Sequence, residues 1–82
     1  PFNPRTTIVF ELSGPETVSL KVFDVSGRMV RDLVQAANLG PGPHQVVWDG
    51  RDSLGRPVSS GTYFYRLTAG GFSETKKMVL VK

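Results

Sequence analysis

The sequence predicts an all-β fold, an antiparallel β-sandwich of six or seven short strands, with a small barrel as the alternative. Short segments alternate between apolar and polar residues, as half-buried strands do. Turns rich in glycine and proline separate these segments, and no segment is long enough, with helical spacing, to form a stable helix. The chain has 82 residues, of which 39% are hydrophobic. We therefore expect residues 1–82 to form a single domain with one small core.

The first two predicted strands, residues 6–12 and 17–25, show the clearest alternation. One parity in each is apolar, so one face of each strand should be buried. The residues expected to face the core are Ile8, Phe10, Leu12, Val18, Leu20 and Val22. A turn at residues 24–28 follows, in which Gly27 suits a positive φ and Asp24 can accept hydrogen bonds from nearby backbone amides.

The third predicted strand, residues 29–35, is the least regular. Its apolar residues Val30, Leu33 and Val34 have helical spacing. The flanking turn and loop leave too little length for a helix, so we predict a strand in which a bulge is one way to accommodate that spacing. Residues 36–43 are rich in glycine and proline and are predicted to form a surface loop.

Three more strands are predicted at residues 44–48, 62–69 and 72–81. The first brings Trp48, the largest apolar side chain, between the two sheets. A corner of turn-forming residues covers 49–61, where residues 56–58 would supply a short seventh strand. Gly70 and Gly71 suit a two-residue hairpin in which both positions need positive φ.

Composition excludes several classes of function. The chain has no cysteine, which removes disulfides and metal–thiolate sites. The net charge is +3, but the basic residues are scattered and only Lys76 and Lys77 are adjacent, so we expect no nucleic-acid partner. No run approaches the ~20 apolar residues that a membrane-spanning helix needs. The chain starts at Pro1 without a leader, and we expect it to be part of a longer protein.

No catalytic residue is predicted, and we expect neither an enzyme nor a cofactor. His44 is the only histidine, and no serine or carboxylate stands in a recognisable arrangement with it. We interpret it as a histidine at a strand edge. Asp49 and Asp52 are a weak candidate for calcium, which takes about six to eight oxygen ligands. The competing interpretation, which we favour, is a pair of turns in which these carboxylates accept backbone hydrogen bonds.

Two other functions fit the residues. Phe23 and Phe64 fall on the face opposite the apolar parity and could form the platform of a small carbohydrate-binding module. Alternatively, exposed strand edges could pair between copies, which would make the chain a self-assembling structural subunit.

Several motifs together resemble the Ig-like domain named for the flagellar hook-capping protein. They also resemble the related C-terminal sorting domain of the type IX secretion system. The motifs are Pro1-Phe2-Asn3-Pro4, Val22-Phe23-Asp24-Val25-Ser26-Gly27-Arg28, Val47-Trp48-Asp49-Gly50-Arg51-Asp52, Ser59-Ser60-Gly61-Thr62-Tyr63 and Thr75-Lys76-Lys77-Met78. Residues 48–52 are nearer to the hook-capping pattern than to the secretion pattern.

The resemblance implies a non-catalytic, C-terminal Ig-like module of a secreted or surface-exposed bacterial protein. Such a module would act as a sorting signal, an anchor or a spacer through contacts with a protein partner, either secretion machinery or the rest of its parent chain. We expect the partner to add a strand to the last strand, or to dock on the end loops. Lys76, Lys77 and Lys82 are the predicted partner-binding residues, because charged side chains beside a docking edge orient a partner and speed its association.

Overall fold

The computed structural model describes residues 5–81 and consists of six strands in two antiparallel sheets. The strands are β1 (Thr6–Leu12), β2 (Glu16–Phe23), β3 (Met29–Leu39), β4 (Gly42–Trp48), β5 (Gly61–Ala69) and β6 (Phe72–Leu80). β1 and β4 form a two-stranded sheet, and the other four strands form a sheet in the order β3-β2-β5-β6. The predicted all-β sandwich is confirmed.

The core lies between the two sheets and contains apolar side chains from five strands. Its centre is formed by Trp48, Leu20, Leu80, Val18 and Val22, which are essentially inaccessible to solvent. The other buried members are Ile8, Leu12, Tyr63, Leu67, Ala69 and Met78. The alternation in the first two strands therefore placed their buried faces correctly, although Phe10 only packs against the core from its margin.

β3 departs most from the prediction, because it continues to Leu39 through the segment expected to be a loop. Its pairing with β2 shifts register in three places, and each shift puts an extra residue in β3. These bulges explain the helical spacing of Val30, Leu33 and Val34, since each extra residue resets the period of two. Ala36 takes a positive φ of 49°, which accommodates one bulge while the strand continues.

The boundaries of the other strands agree with the prediction to within two residues. β4 begins at Gly42, so Pro43 lies in a strand opposite Glu11. Proline is tolerated there because β4 is an edge strand and needs no donor on its outer side. The seventh strand is reduced to an isolated bridge between Arg51 and Pro57. In the β5–β6 hairpin only Gly70 has a positive φ, of 59°, and not both glycines.

Ala36 offers a test of the bulge. A left-handed backbone costs an alanine about 1–2 kcal/mol, whereas glycine adopts it freely but loses more entropy on folding. We expect Ala36→Gly to raise the free energy of unfolding by about 0.5 kcal/mol, because relief of strain exceeds that entropy. Ala37→Gly is the control, and it should lower stability by about 0.5–1 kcal/mol since Ala37 has no positive φ. Urea denaturation of both variants tests the assignment, and equal losses in the two would contradict it.

Candidate functional site

The predicted partner-binding lysines lie on the last strand. Lys76 and Lys77 are both exposed and, as neighbours in a strand, they leave opposite faces of β6. The ammonium of Lys76 lies 3.5 Å from a carboxylate oxygen of Glu74, and Lys77 is opposite Phe64 on β5. Lys82 lies outside the described residues. The two described lysines therefore flank the strand edge and do not form one patch.

The two edges of the four-stranded sheet are not alike. β6 pairs with β5 in unbroken register from Gly61–Leu80 to Ala69–Phe72, and nothing in the described chain pairs with its other side. β3, at the opposite edge, is interrupted by its bulges. Bulges twist an edge away from further pairing, so the regular edge of β6 is the better template for an added strand.

Two turns of identical construction lie at one end of the sandwich, and the sequence pattern Asp-x-x-Gly-Arg occurs in both. In the first, the Asp24 carboxylate accepts from the amides of Ser26 (2.9 Å) and Arg28 (3.0 Å). In the second, Asp52 accepts from the amides of Leu54 and Arg56, both at 2.9 Å. The glycines have φ of 87° and 81°, and in each turn the aspartate amide donates to the arginine carbonyl.

Residues of both turns line one groove of about 330 Å³. The amide of Ser53 donates to the carbonyl of Val30 at 3.0 Å, which ties the second turn to the strand that follows the first. The exposed side chains at this end include Val25 and Leu54, at 73% and 76% exposure. The prediction that the Asp52 carboxylate accepts backbone hydrogen bonds in a turn is thus confirmed.

Hydrogen bonds lower the pKa of both turn aspartates. The Ser26 hydroxyl is the largest cause for Asp24, and the Arg56 backbone amide is the largest cause for Asp52. Partial desolvation opposes the shift in each case, and the neighbouring arginine charge adds to it. Both carboxylates are consequently ionised at neutral pH.

These shifts predict an acid-dependent stability. A carboxylate whose pKa is lower in the folded state stabilises the fold above its unfolded pKa, near 3.8, and loses that contribution as the pH falls through the lower folded value. Asp24→Asn and Asp52→Asn keep an oxygen acceptor but remove the titration, so the acid decline of stability below pH 4 should flatten. The comparison is with Glu11→Gln, which removes an exposed carboxyl outside both turns, and the two aspartate substitutions should flatten the slope more than it does. Urea denaturation midpoints between pH 2.5 and 7 measure this pH dependence of stability. A pH dependence identical to that of the parent chain would contradict the role given to the two aspartates.

The weak calcium candidate is built from residues with other partners. Asp49 lies 3.1 Å from the Arg31 guanidinium and also accepts from the amide of Arg51 at 3.1 Å. The second oxygen of Asp52 accepts from Nε of Arg56 at 3.0 Å. Within residues 5–81, no group of three or more His, Cys, Asp or Glu side chains could hold a metal ion. The hydrogen bonds and ion pairs of Asp49 and Asp52 therefore hold the backbone of the corner that follows β4.

Trp48 and Tyr63 connect the same corner to the core. The indole Nε1 donates to the carbonyl of Arg51 at 3.0 Å, and the Tyr63 hydroxyl donates to the carbonyl of Ser59 at 2.6 Å. Their rings meet edge to face with centroids 5.2 Å apart. Burial is the main cause that raises the pKa of Tyr63 above its ordinary value of 10, and the Asp24 charge adds to it. Both aromatics therefore have structural roles.

His44 lies on the edge strand β4, as expected. Its Nε2 is 2.7 Å from the carbonyl of Gly40, and its ring stacks on Phe10 with centroids 5.4 Å apart. The ring is therefore held by a backbone carbonyl and an apolar neighbour. The described contacts place no serine or carboxylate beside it.

The two phenylalanines considered as a sugar platform are brought together. Phe23 on β2 is directly opposite Phe64 on β5, and both side chains are half-buried. The Arg66 guanidinium carbon lies 5.0 Å from the centroid of the Phe23 ring and occupies the face of that ring. Sequence parity correctly placed Arg66 on this face, but the contact also depends on the β2–β5 register, which no local pattern gives.

Comparison with known proteins identifies one family. The family model of the FlgD Ig-like domain matches residues 3–71, a segment that ends before β6. No curated protein matches the chain. Within the described residues there is no helix long and apolar enough to cross a membrane.

Two solved structures share the fold. FlgD from P. aeruginosa superposes with a TM-score of 0.71 at 22% identity, over 93% of this chain and 59% of that one. FlgD from Xanthomonas campestris, a structure described in connection with the hook capping essential for flagellar assembly, gives a TM-score of 0.69 at 22% identity, over 95% and 56%. This chain thus spans less than two thirds of the length of either.

Proposed function

Because this chain belongs to the FlgD Ig-like domain family, we propose that it is a non-catalytic module that acts through protein–protein contacts at the open edge of β6. The observation that carries the proposal is the contrast between the regular edge of β6 and the bulged edge of β3. An extended segment that adds to β6 gains main-chain hydrogen bonds along a continuous ladder. The bulged edge offers no such continuous ladder.

The side chains at this edge suit a docking site for a protein. Val79 and Val81 are 57% and 69% exposed, while Met78 and Leu80 on the other face are buried. Lys76 and Lys77 flank the edge on its two faces and would orient an incoming acidic strand. Strand addition would therefore combine backbone pairing with an apolar contact at one end and charge attraction at the other.

We further propose that the module belongs to a longer bacterial protein that is secreted or exposed at the cell surface, and that it serves there as a sorting signal, anchor or spacer. The family membership supports the idea of a module. The resemblance to type IX sorting domains motivates the sorting role, which has its own test.

The test is a fusion of residues 1–82 to a folded reporter in a bacterium with a working type IX system. Deleting residues 76–82 would also remove buried Met78 and Leu80, so point substitutions are preferable. Val79→Lys places a charge on the edge without touching the core, and it should abolish export. Val9→Lys is its matched control, since Val9 is 67% exposed on the other sheet, and it should export normally.

The outcomes separate the roles. Export that Val79→Lys blocks and Val9→Lys does not would support sorting through β6. A triple alanine substitution of Lys76, Lys77 and Lys82 that leaves export intact would remove the lysines from the mechanism. A reporter that stays in the periplasm in every case would exclude sorting and favour the spacer role.

A further inference from the structure

The outer face of the four-stranded sheet, turned away from the core, has an ordered arrangement of charges and aromatic rings. We call this the outer face, and we define it by two rows of paired residues. The first row crosses the strands as Asp32, Lys21, Arg66 and Thr75, and the second as Met29, Phe23, Phe64 and Lys77. These residues are half-buried or exposed.

The first row contains a pairing that costs stability. Lys21 on β2 is directly opposite Arg66 on β5, and these are the two central strands of the sheet. Like charges placed directly opposite in an antiparallel pair destabilise it. Asp32 is opposite Lys21 on its other side but forms no ion pair with it, and one of its carboxylate oxygens is buried without a hydrogen-bond partner. Within residues 5–81, neither Lys21 nor Arg66 forms an ion pair that would offset this repulsion.

The second row supplies an apolar centre beside these cations. Phe23 and Phe64 face each other across the central strands, and the Arg66 guanidinium lies over Phe23. Lys77 is opposite Phe64, so the aromatic pair has cations on two sides. Aromatic residues with an arginine beside them are the groups most often found at the energetic centre of protein interfaces.

We propose that the outer face binds an acidic segment of a protein partner. The two rows hold three cations, Lys21, Arg66 and Lys77, against the single carboxylate of Asp32. A carboxylate docked between Lys21 and Arg66 offsets the repulsion between these two cations. Binding is therefore favoured by the relief of a repulsion that is present in the unbound fold. This inference rests on the proposed protein-binding role but concerns a different surface from the β6 edge.

A protein segment fits this face better than a sugar or a nucleic acid. The guanidinium already covers one face of Phe23, so that face is not free for a sugar or a base to stack on. Three cations are also few for a phosphate polymer, whose binding relies on many neutralised charges. In a protein segment, carboxylates can pair with the cations of the first row while apolar side chains pack on the phenylalanines of the second.

The experiment is an NMR titration of the isotopically labelled 82-residue chain with poly-L-glutamate at pH 7 and low salt. We expect amide shifts to concentrate on Lys21, Phe64, Arg66 and Lys77, and to fade as salt is added. Lys21→Gln and Arg66→Gln should each weaken binding about three- to fivefold. The denaturation midpoint of Lys21→Gln should be unchanged or higher, which a purely structural role would not produce.

Two matched controls keep the test specific. Arg28→Gln removes an exposed arginine that makes no side-chain hydrogen bond or ion pair in residues 5–81, and it should bind normally. Arg5→Gln removes an exposed arginine just before β1 of the other sheet and should also bind normally, whereas Lys77→Gln should weaken binding.

Several outcomes would overturn the proposal. They are the absence of localised shifts, equal losses in the controls, and tighter binding of polygalacturonate at the same residues, which would assign the face to an acidic glycan. The edge proposal is scored by export, and the outer-face proposal by peptide binding to variants of Lys21 and Arg66 on the two central strands, so the two proposals can fail separately.

Discussion

Replacing Trp48 by alanine is expected to leave the chain largely unfolded or close to it. The Trp48 side chain has no solvent exposure, and it lies between the two sheets. Removing a buried aromatic costs about 3–5 kcal/mol, partly because the cavity collapses only in part. A chain of 82 residues has a total stability of about 4–12 kcal/mol at the usual 0.05–0.15 kcal/mol per residue. The substitution therefore removes a large share of the whole.

The measurement is urea denaturation followed by far-UV circular dichroism, because the variant lacks the only tryptophan. Trp48→Phe should lose less, about 1–3 kcal/mol, since a ring still packs against Tyr63 and the Arg51 carbonyl still accepts from Arg31. Phe72→Ala is the surface control, because Phe72 is 55% exposed. A loss below 1 kcal/mol for Trp48→Ala would mean that the sheets do not close over this ring.

Leu20→Ala is expected to have the next largest effect. Leu20 lies on the central strand β2 and is fully buried, so its truncation should cost about 2–5 kcal/mol. In a domain of this size each kcal/mol shifts the melting temperature by roughly 4–8 °C, which predicts a fall of about 10 °C or more.

The chain contains a matched control for this change. Leu54→Ala makes the same substitution at a side chain that is 76% exposed, and its effect should stay within about 0.5 kcal/mol. Thermal unfolding by circular dichroism compares the two directly. Similar melting temperatures for both variants would show that β2 is not the centre of the core.

Much of the fold follows from the sequence because most strands obey a period of two. β1 and β2 alternate cleanly, and both were predicted with nearly their observed bounds. β3 was truncated in the prediction because each bulge shifts the parity, and a shifted parity resembles helical spacing. Glycine and proline near residues 40–43 suggested a loop, but an edge strand accommodates both.

The candidate surfaces were less predictable, since they depend on which strands become neighbours. The sequence alone predicts that Lys76 and Lys77 leave opposite faces of their strand. The position of Arg66 opposite Lys21, in contrast, depends on the pairing of β2 with β5. These two strands are separated by 37 residues, 24–60, and no local signal sets their register. The Asp-x-x-Gly-Arg pattern of the two turns is present in the sequence, but their position along one groove depends on the folded structure.

The unequal edges of the larger sheet also set a limit on how copies could join through it. Two chains that pair β6 with β6 about a two-fold axis would share one continuous eight-stranded sheet, with a bulged β3 at each outer end. No regular edge of that sheet would then be left for a third chain. Association through this sheet is therefore self-limiting at two copies, which distinguishes it from the open head-to-tail arrangement that produces fibres.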